Sequence, residues 1–489
     1  MKNTSKLIRN IDSPKSVLLP ALLLGLTAAT AIVMVKLGLP MAMLIVLGAL
    51  GLGVGIFMIA YPEFAFYVAI SSSFFVFCLL RLIGSDIPLV TLIDVMVWVT
   101  FVAVLIQKGI KGESFWKYCN SPIMLMYLII LVYTFLEYFN PNGGNKELYF
   151  LFLRRVITLL LFLYCVLQLL TNMRAIDRFF KAVLILMFVS ALYGCYESWF
   201  GMPAFELNYI TSDPLRAALA SLDGGGFRIS SFLPSCMDFG LLMAASTIIF
   251  LALYLRLKTT RRRKRLFLVA MICSALSMSY SGTRTATLML IVMVVLYVLM
   301  TINERKTMIF SSIFGFLLLA VIFGPSYGNG QLRRLKSTFD LKSEESLNVR
   351  DMNRHAIQPY IYGHPIGGGV GTTGVLYISY NRGHPLAGFP TDSGLLAIVL
   401  EYGVIGLLIH CLTYFIILQQ GVLTYYQTRD PKRKIYLLAS VLFVFGFVFA
   451  QYAQVAIGQL PNGFVYLGLN AVIIRLQQME KEKQPSLTT

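Results

Sequence analysis

Apolar segments of close to 20 residues follow one another along this chain, separated by shorter polar connections. An apolar run of ~20 residues is long enough to cross the hydrocarbon core of a bilayer as a helix. Backbone groups in lipid must pair internally, so we predict helices. The pattern predicts an all-α polytopic membrane protein with about 12–14 transmembrane helices. The predicted spans are 17–35, 38–60, 64–82, 88–106, 122–139, 155–170, 180–200, 232–255, 266–281, 285–303, 308–323, 393–419, 435–456 and 460–475.

Composition supports this interpretation. The 489 residues are 57% hydrophobic and only 13% charged, whereas soluble domains are about 25% charged. A soluble enzyme with a polar surface is therefore excluded.

The net charge of +18 is distributed unevenly along the chain. Placing both termini in the cytoplasm puts most lysines and arginines in inner loops, as the positive-inside rule requires. The longest basic run, 256–265, then lies inside and serves as a topology signal. We expect no nucleic-acid binding, since one short loop offers no folded recognition surface.

Two outer loops are large, 201–231 and 324–392. The second is long enough to fold over the membrane. It contains His355, His364 and His384 and a glycine-rich stretch at 367–371. Amphipathic helices are predicted within it at 331–340 and 347–362.

Outward-facing cations break the simple charge rule. Arg228 precedes a span, Arg284 lies between two spans and Arg350 lies in the large loop. Cations in such places are costly and suggest a functional site, and the planar guanidinium fork suits phosphate. The alternative is pairing with acids or lipid headgroups. Other outer cations are expected to be interfacial side chains that reach toward water: Lys36, Arg81, Lys146, Arg154 and Arg155.

Several acids lie within or at the edge of spans. Asp392 occupies a position where helix capping alone would explain it. Glu401 lies about 13 Å deeper along the same helix and needs a partner, for which an arginine in a structural ion pair is the expectation. Asp94 and Asp238 also lie in spans, and either could line a transport path.

The C-terminal half resembles the bacterial O-antigen ligase and O-antigen polymerase superfamily over about 225–410. The similar elements come in order along the chain. They are Arg228-Ile-Ser-Ser-Phe-Leu-Pro with Asp238-Phe-Gly240, then Ser281-Gly-Thr-Arg284-Thr-Ala286, then Arg350 with His364-Pro-Ile-Gly-Gly-Gly-Val-Gly371, then Asp392 with Glu401-Tyr-Gly-Val-Ile-Gly406.

The resemblance implies a GT-C-like glycosyltransferase of the bacterial inner membrane. Such an enzyme transfers a glycan from undecaprenyl pyrophosphate to a glycan or lipid acceptor on the periplasmic face, with inversion and with neither metal nor cofactor. A chain-length regulator is a possible partner. The implied domains are N-terminal spans (1–224), a ligase/polymerase-like core (225–410), C-terminal spans (411–475) and a cytoplasmic tail (476–489).

The implied site follows the matching residues. Arg228, Arg284 and Arg350 would bind the pyrophosphate, with Glu401, Arg354 and His364 in support. Ligases of this superfamily typically have a catalytic histidine where this sequence has Asp392, so either Asp392 or His384 is the candidate base. Polymerase and ligase activity both stay open.

Two other functions compete with glycan transfer. A transporter or flippase of lipid-linked glycans should show charged residues at mid-membrane and repeated halves. This sequence shows few such residues and no visible repeat. A membrane scaffold would leave the loop arginines unexplained.

Overall fold

The computed structural model describes residues 25, 51, 53–83, 89–222, 226–324, 345–374, 378–391 and 393–482. The helix predicted over 331–340 lies outside these residues, as do the first predicted span apart from residue 25 and most of the second span. The chain divides into two units, 1–65 and 66–489. In the first unit, residues 53–60 are helical and the Phe57 ring lies 4.7 Å from that of Tyr61. The features below belong to the second unit.

The described chain is built from helices, and each remaining predicted span corresponds to one. The helices are α1 (Pro62–Ile83), α2 (Leu89–Lys111), α3 (Pro122–Leu136), α4 (Lys146–Leu169), α5 (Met173–Phe200), α6 (Ala204–Thr211), α7 (Pro214–Ala220), α8 (Cys236–Arg256), α9 (Arg261–Tyr280), α10 (Arg284–Thr301), α11 (Arg305–Phe323), α12 (Glu345–Gly363), α13 (Gly394–Gln427), α14 (Pro431–Ala450) and α15 (Asn462–Lys481).

Within the described residues, nine helices are long and apolar enough to cross a membrane by length and composition. The prediction of an all-α polytopic membrane protein is confirmed. The large loop contains α12, which covers the helix predicted over 347–362.

Several predicted boundaries differ from the helix ends, and local polar residues explain two of the differences. Helix α4 begins at Lys146 rather than 155, because the Asn145 side chain accepts a hydrogen bond from the Glu147 N–H and caps the helix. Helix α14 ends at Ala450 rather than 456, where Gln451 starts an irregular connection that runs to α15.

Helices α8, α14 and α15 form the centre of the second unit. Helix α8 packs against α5, α9, α10 and α14, and α15 packs against α4, α13 and α14. Ring stacking fixes α15 on α4, since Phe464 lies 4.0 Å from Phe162 with nearly parallel planes. The site described below is built on one end of this core.

Of the five cations predicted to reach toward water, Lys36 lies outside the described residues and Lys146 is exposed as predicted, whereas the three arginines are paired with acids. Arg81 is buried, lies 3.5 Å from the Glu206 carboxylate and donates to the carbonyl oxygens of Ser231 and Leu233. The interfacial role predicted for Arg81 is therefore wrong. A buried guanidinium is tolerated only when acceptors surround it, and here they come from two distant segments.

Asp94 is likewise part of a structural cluster. Its two carboxylate oxygens face Arg154 at 3.0 Å and Arg155 at 3.4 Å. Arg155 also donates to the Gly458 carbonyl oxygen at 3.0 Å. This pairing corrects the interfacial role predicted for the two arginines. An acid that lines a transport path would not require such partners, so the pairing favours a structural role for Asp94.

Candidate functional site

Arg228 is buried against the turn that joins α9 to α10. Its Nε donates to the Ser281 carbonyl oxygen at 3.0 Å, and its Nη2 donates to the Thr283 hydroxyl at 3.0 Å. A third bond runs from Nη1 to the Leu219 carbonyl oxygen at 3.4 Å. Two sequence elements that lie 53 residues apart, Arg228 and the Ser281–Arg284 turn, are thus one structural unit.

Helix α10 begins inside this unit. Its N-cap residue, Thr283, makes no capping bond, because its hydroxyl instead accepts from Arg228 and donates to the Cys236 carbonyl oxygen at 3.1 Å. Arg284 is the first helical residue. A helix start carries unpaired N–H groups and partial positive charge, so it favours an anion. Two arginines, Arg228 and Arg284, lie at this helix start.

The glycine-rich stretch lies against a break in α13. Gly403 has φ 68° and interrupts the helix, and Gly367 has φ 82°. The Gly368 N–H donates to the Leu400 carbonyl oxygen at 2.7 Å, and the Gly369 N–H to that of Glu401 at 3.0 Å. The loop thereby pairs with carbonyls that the break leaves without helical donors. Close approach of two backbones explains why glycines are needed.

Glu401 is buried beside this loop, and its partner is a threonine. One carboxylate oxygen accepts from the Thr373 hydroxyl at 2.5 Å and from the Thr373 N–H at 3.4 Å. Among the described contacts of Glu401 there is no arginine, so the expected ion pair is not formed there. A hydroxyl and an N–H satisfy the carboxylate without burying a second charge.

His384 is held between two backbone groups. Its Nδ1 accepts from the Leu386 N–H at 3.1 Å, and its Nε2 lies 2.9 Å from the Asn142 carbonyl oxygen. A carbonyl only accepts, so Nε2 carries the hydrogen and the imidazole is neutral. His384 therefore ties the large loop to the connection between α3 and α4.

Asparagines of the connection between α3 and α4 make further hydrogen bonds to the large loop. The Asn140 side chain donates to the Ile366 carbonyl oxygen at 3.1 Å and to the Glu137 carboxylate at 2.7 Å. The Asn142 side chain donates to the Gly367 carbonyl oxygen at 3.1 Å. These asparagines, which sequence reasoning did not single out, fix the glycine-rich stretch from its other side. The only sequence signal is their clustering at 140–145.

His364 is a turn residue at the end of α12. Its ring stacks on Tyr360 with centroids 4.1 Å apart, and its Nδ1 lies 3.0 Å from the Tyr360 carbonyl oxygen. Burial raises the pKa of the Tyr360 phenol. These contacts place His364 at the junction of α12 with the glycine-rich stretch.

The connection 451–463, which takes in the first two residues of α15, links the elements of the site. The apolar pattern had assigned most of it to predicted spans. The Gln451 carbonyl oxygen accepts from the Ser393 hydroxyl at 3.2 Å. Tyr452 lies under the Arg354 guanidinium at 4.5 Å and accepts from it at 2.8 Å. Asn462 donates to the Asp238 carbonyl oxygen at 3.1 Å. Polar and turn residues interrupt the apolar pattern here, and they were the sequence signal that could have predicted a connection instead of a span.

Asp392 lies outside the described residues, but its neighbour bears on its role. The N-cap of α13 is Ser393, whose hydroxyl accepts from the Leu396 N–H at 3.3 Å. The N-cap position of α13 is thus occupied by the residue after Asp392. Arg350 lies in α12 one turn before Arg354.

A cavity of about 240 Å³ opens beside the start of α13. Its lining includes Gly394, Glu401, Gln451 and Gly458 together with apolar side chains of α3 and α4. It thus adjoins both the 451–463 connection and the helix that follows Asp392.

Comparison with known proteins identifies part of the chain. Residues 269–411 match the family model described as O-antigen ligase. This segment is similar to the O-antigen ligase family. The resemblance to the O-antigen ligase and polymerase superfamily is confirmed, and a comparison with curated proteins finds no match.

The O-antigen ligase domain contains most of the assembled site. The Ser281–Arg284 turn, the glycine-rich stretch, His384 and Glu401 fall within it, whereas Arg228 precedes it. The domain indicates a glycosyltransferase-like enzyme that acts on lipid-linked glycans in O-antigen assembly, in a multi-pass bacterial membrane protein.

Thr373→Val should destabilise the loop of the O-antigen ligase domain, because the substitution removes the hydroxyl that donates to the Glu401 carboxylate. Loss of a bond to a buried carboxylate costs about 1–3 kcal/mol, so we expect a clear fall in the unfolding temperature of purified protein. Thr373→Ser keeps the hydroxyl and is the matched control. Equal unfolding temperatures for the valine and serine variants would contradict the assigned bond.

Proposed function

We propose that this protein transfers a glycan from undecaprenyl pyrophosphate to an acceptor sugar at the periplasmic face of the bacterial inner membrane. The observation that carries the proposal is the unit of Arg228 with the Ser281–Arg284 turn, bordering and entering an O-antigen ligase domain. Polymerase and ligase activity differ only in the acceptor, which is another lipid-linked glycan or a lipid such as lipid A–core.

The arginine unit supports a role in binding the leaving group. The donor leaves as a pyrophosphate, whose negative charge grows as the glycosidic bond breaks. Arg228, Arg284 and the start of α10 form a rigid positive region built before substrate arrives, and preorganised positive groups stabilise such charge. We assign the pyrophosphate to this region, with Arg350 of α12 as the third arginine. In this proposal the arginines do the work that a divalent metal does in other enzymes.

The base is assigned to Asp392. Ser393 already caps α13, so capping does not account for an aspartate next to it. His384 has both ring nitrogens bound to backbone groups, and in this proposal it positions the large loop. Asp392 accepts the proton of the acceptor hydroxyl as its oxygen forms the bond to the anomeric carbon. The bond from that carbon to the pyrophosphate oxygen breaks on the opposite side, so the configuration inverts.

The remaining residues hold this arrangement together. Glu401 and Thr373 fix the loop to α13, His364 fixes it to α12, and Arg354 fixes α12 to Tyr452. The lining of the 240 Å³ cavity is mainly apolar and includes Gly394, the first residue of α13. We assign to this cavity the first isoprene units of the donor lipid.

Asp392→Asn should abolish transfer, because an amide has no basic oxygen to accept the acceptor proton. We expect a loss of at least about a hundredfold in surface polysaccharide made by cells that carry the variant, with accumulation of the lipid-linked donor. The control is Asp351→Asn, which changes an exposed aspartate of α12 that lies 3.5 Å from His355. Normal polymer from Asp392→Asn would rule out this residue as the base.

A further inference from the structure

A second cavity in the second unit, of about 820 Å³, lies away from the site above. It is formed by α5, the end of α8, the start of α9 and the start of α14. Its walls are mainly apolar and include Leu184, Phe188, Phe250, Leu266 and Phe267. Ile185 and Leu266 at its border keep about half of their surface exposed or more, at 60% and 53%. The cavity is therefore open along helix faces that would meet lipid.

This cavity and the arginine unit lie at opposite ends of the same helices. Helix α8 begins beside Thr283 and ends at Arg256, which lines the cavity. Helix α9 runs back from the cavity to the Ser281–Arg284 turn. A helix of 21 residues is ~30 Å long, about the thickness of the hydrocarbon core. The two sites thus belong to opposite faces of the membrane.

The rim of the cavity carries a surplus of positive charge. Arg256 pairs with Glu304, and Lys432 pairs with Asp177. The other acid of the lining, Asp430, accepts from backbone N–H groups at the start of α14. Three further cations line the cavity and pair with no acid in the described part of the structure: Lys181, Lys258 and Arg263.

We propose that this cavity binds one anionic glycerophospholipid of the surrounding leaflet. The phosphate lies among Lys181, Lys258 and Arg263, and an acyl chain lies along Leu184, Phe188 and the α9 side of the cavity. Apolar walls recruit a chain and a cationic rim recruits a phosphate. A soluble phosphate would use only the rim and would leave the apolar walls exposed to water.

The test measures lipid binding to the purified full-length protein by native mass spectrometry, with phosphatidylglycerol and phosphatidylcholine of identical chains. We expect a clear preference for phosphatidylglycerol in the wild-type protein. The triple variant Lys181→Gln/Lys258→Gln/Arg263→Gln should bind it at least about tenfold more weakly. Equal binding of the two lipids by the wild-type protein would overturn the proposal.

The matched control removes the same number of charges, all from the basic run 256–265 that contains Lys258 and Arg263. The triple variant Arg261→Gln/Arg262→Gln/Arg265→Gln alters exposed residues that do not line the cavity. It should keep the wild-type preference. A loss as large as that of the first variant would mean attraction to the basic surface in general, and would overturn the proposed site.

Two further measurements separate a lipid from a free phosphate. Leu184→Trp narrows the cavity along the proposed path of the acyl chain but keeps every cation, so it should weaken phosphatidylglycerol binding by about tenfold if an acyl chain enters. Unchanged binding by this variant would exclude the chain from the cavity. Glycerol phosphate, which has the headgroup chemistry without chains, should not displace the lipid at equal concentration, and efficient displacement would indicate a free-phosphate site instead.

Discussion

Arg228→Lys is expected to lower the rate of glycan transfer by at least about a hundredfold while leaving the protein folded. Lysine keeps the charge, but one ammonium cannot replace a guanidinium that reaches the Ser281 carbonyl, the Thr283 hydroxyl and the Leu219 carbonyl from three different nitrogens. The turn that carries Arg284 would lose its fixed position. The measurement is the rate of donor consumption by purified protein.

The control for Arg228→Lys is Arg216→Lys, which makes the same change on α7. Arg216 is exposed, and its guanidinium pairs with Asp213 and lies over the Tyr209 ring. It should retain the wild-type rate. Size-exclusion chromatography and helix content distinguish a folded, inactive Arg228→Lys protein from a misfolded one. A folded variant with a near-normal rate would refute the role of the arginine unit.

Gly367→Ala is expected to abolish transfer by pushing the glycine-rich stretch away from α13. A Cβ at Gly367 would lie 2.5 Å from the Gly403 nitrogen and 2.6 Å from the Glu401 carbonyl oxygen. Both neighbours are backbone atoms, so the loop must move, and a displacement of about 1 Å in a site can cost about a hundredfold in rate. The positive φ adds about 1–2 kcal/mol of strain.

Gly383→Ala is the control that introduces backbone strain without a steric clash. Gly383 also has a positive φ, 87°, but a Cβ there would meet nothing within 4 Å. This variant should incur only the backbone strain of the positive φ and should keep most of the activity. If both variants transfer glycan equally well, close packing of the loop on the broken helix is not required for function.

The fold was largely predictable because hydrophobicity decides it. Spans could be located from apolar length alone, and the amphipathic helix in the large loop from its periodicity. Helix ends were predicted less well, since single side chains decide them. Asn145 starts α4 and Ser393 caps α13, and neither choice follows from a hydropathy pattern.

Partners of buried charges could not be predicted, because they lie far away in sequence. Arg81 and Glu206 are 125 residues apart, and Asp94 and Arg155 are 61 residues apart. The same reason hid the ties of Asn142 to His384 and of Asn140 to the glycine-rich stretch. Sequence motifs located the site residues, whereas only the structure revealed how the loop is held.

The central claim is tested most directly with purified protein in liposomes and a defined glycan on undecaprenyl pyrophosphate. The account predicts cleavage of the glycosidic bond and release of undecaprenyl pyrophosphate. The glycan should appear on a second lipid-linked glycan if the protein is a polymerase, or on lipid A–core if it is a ligase. Movement of intact donor across the bilayer, with no bond cleaved and either acceptor present, would contradict the account and indicate a transporter.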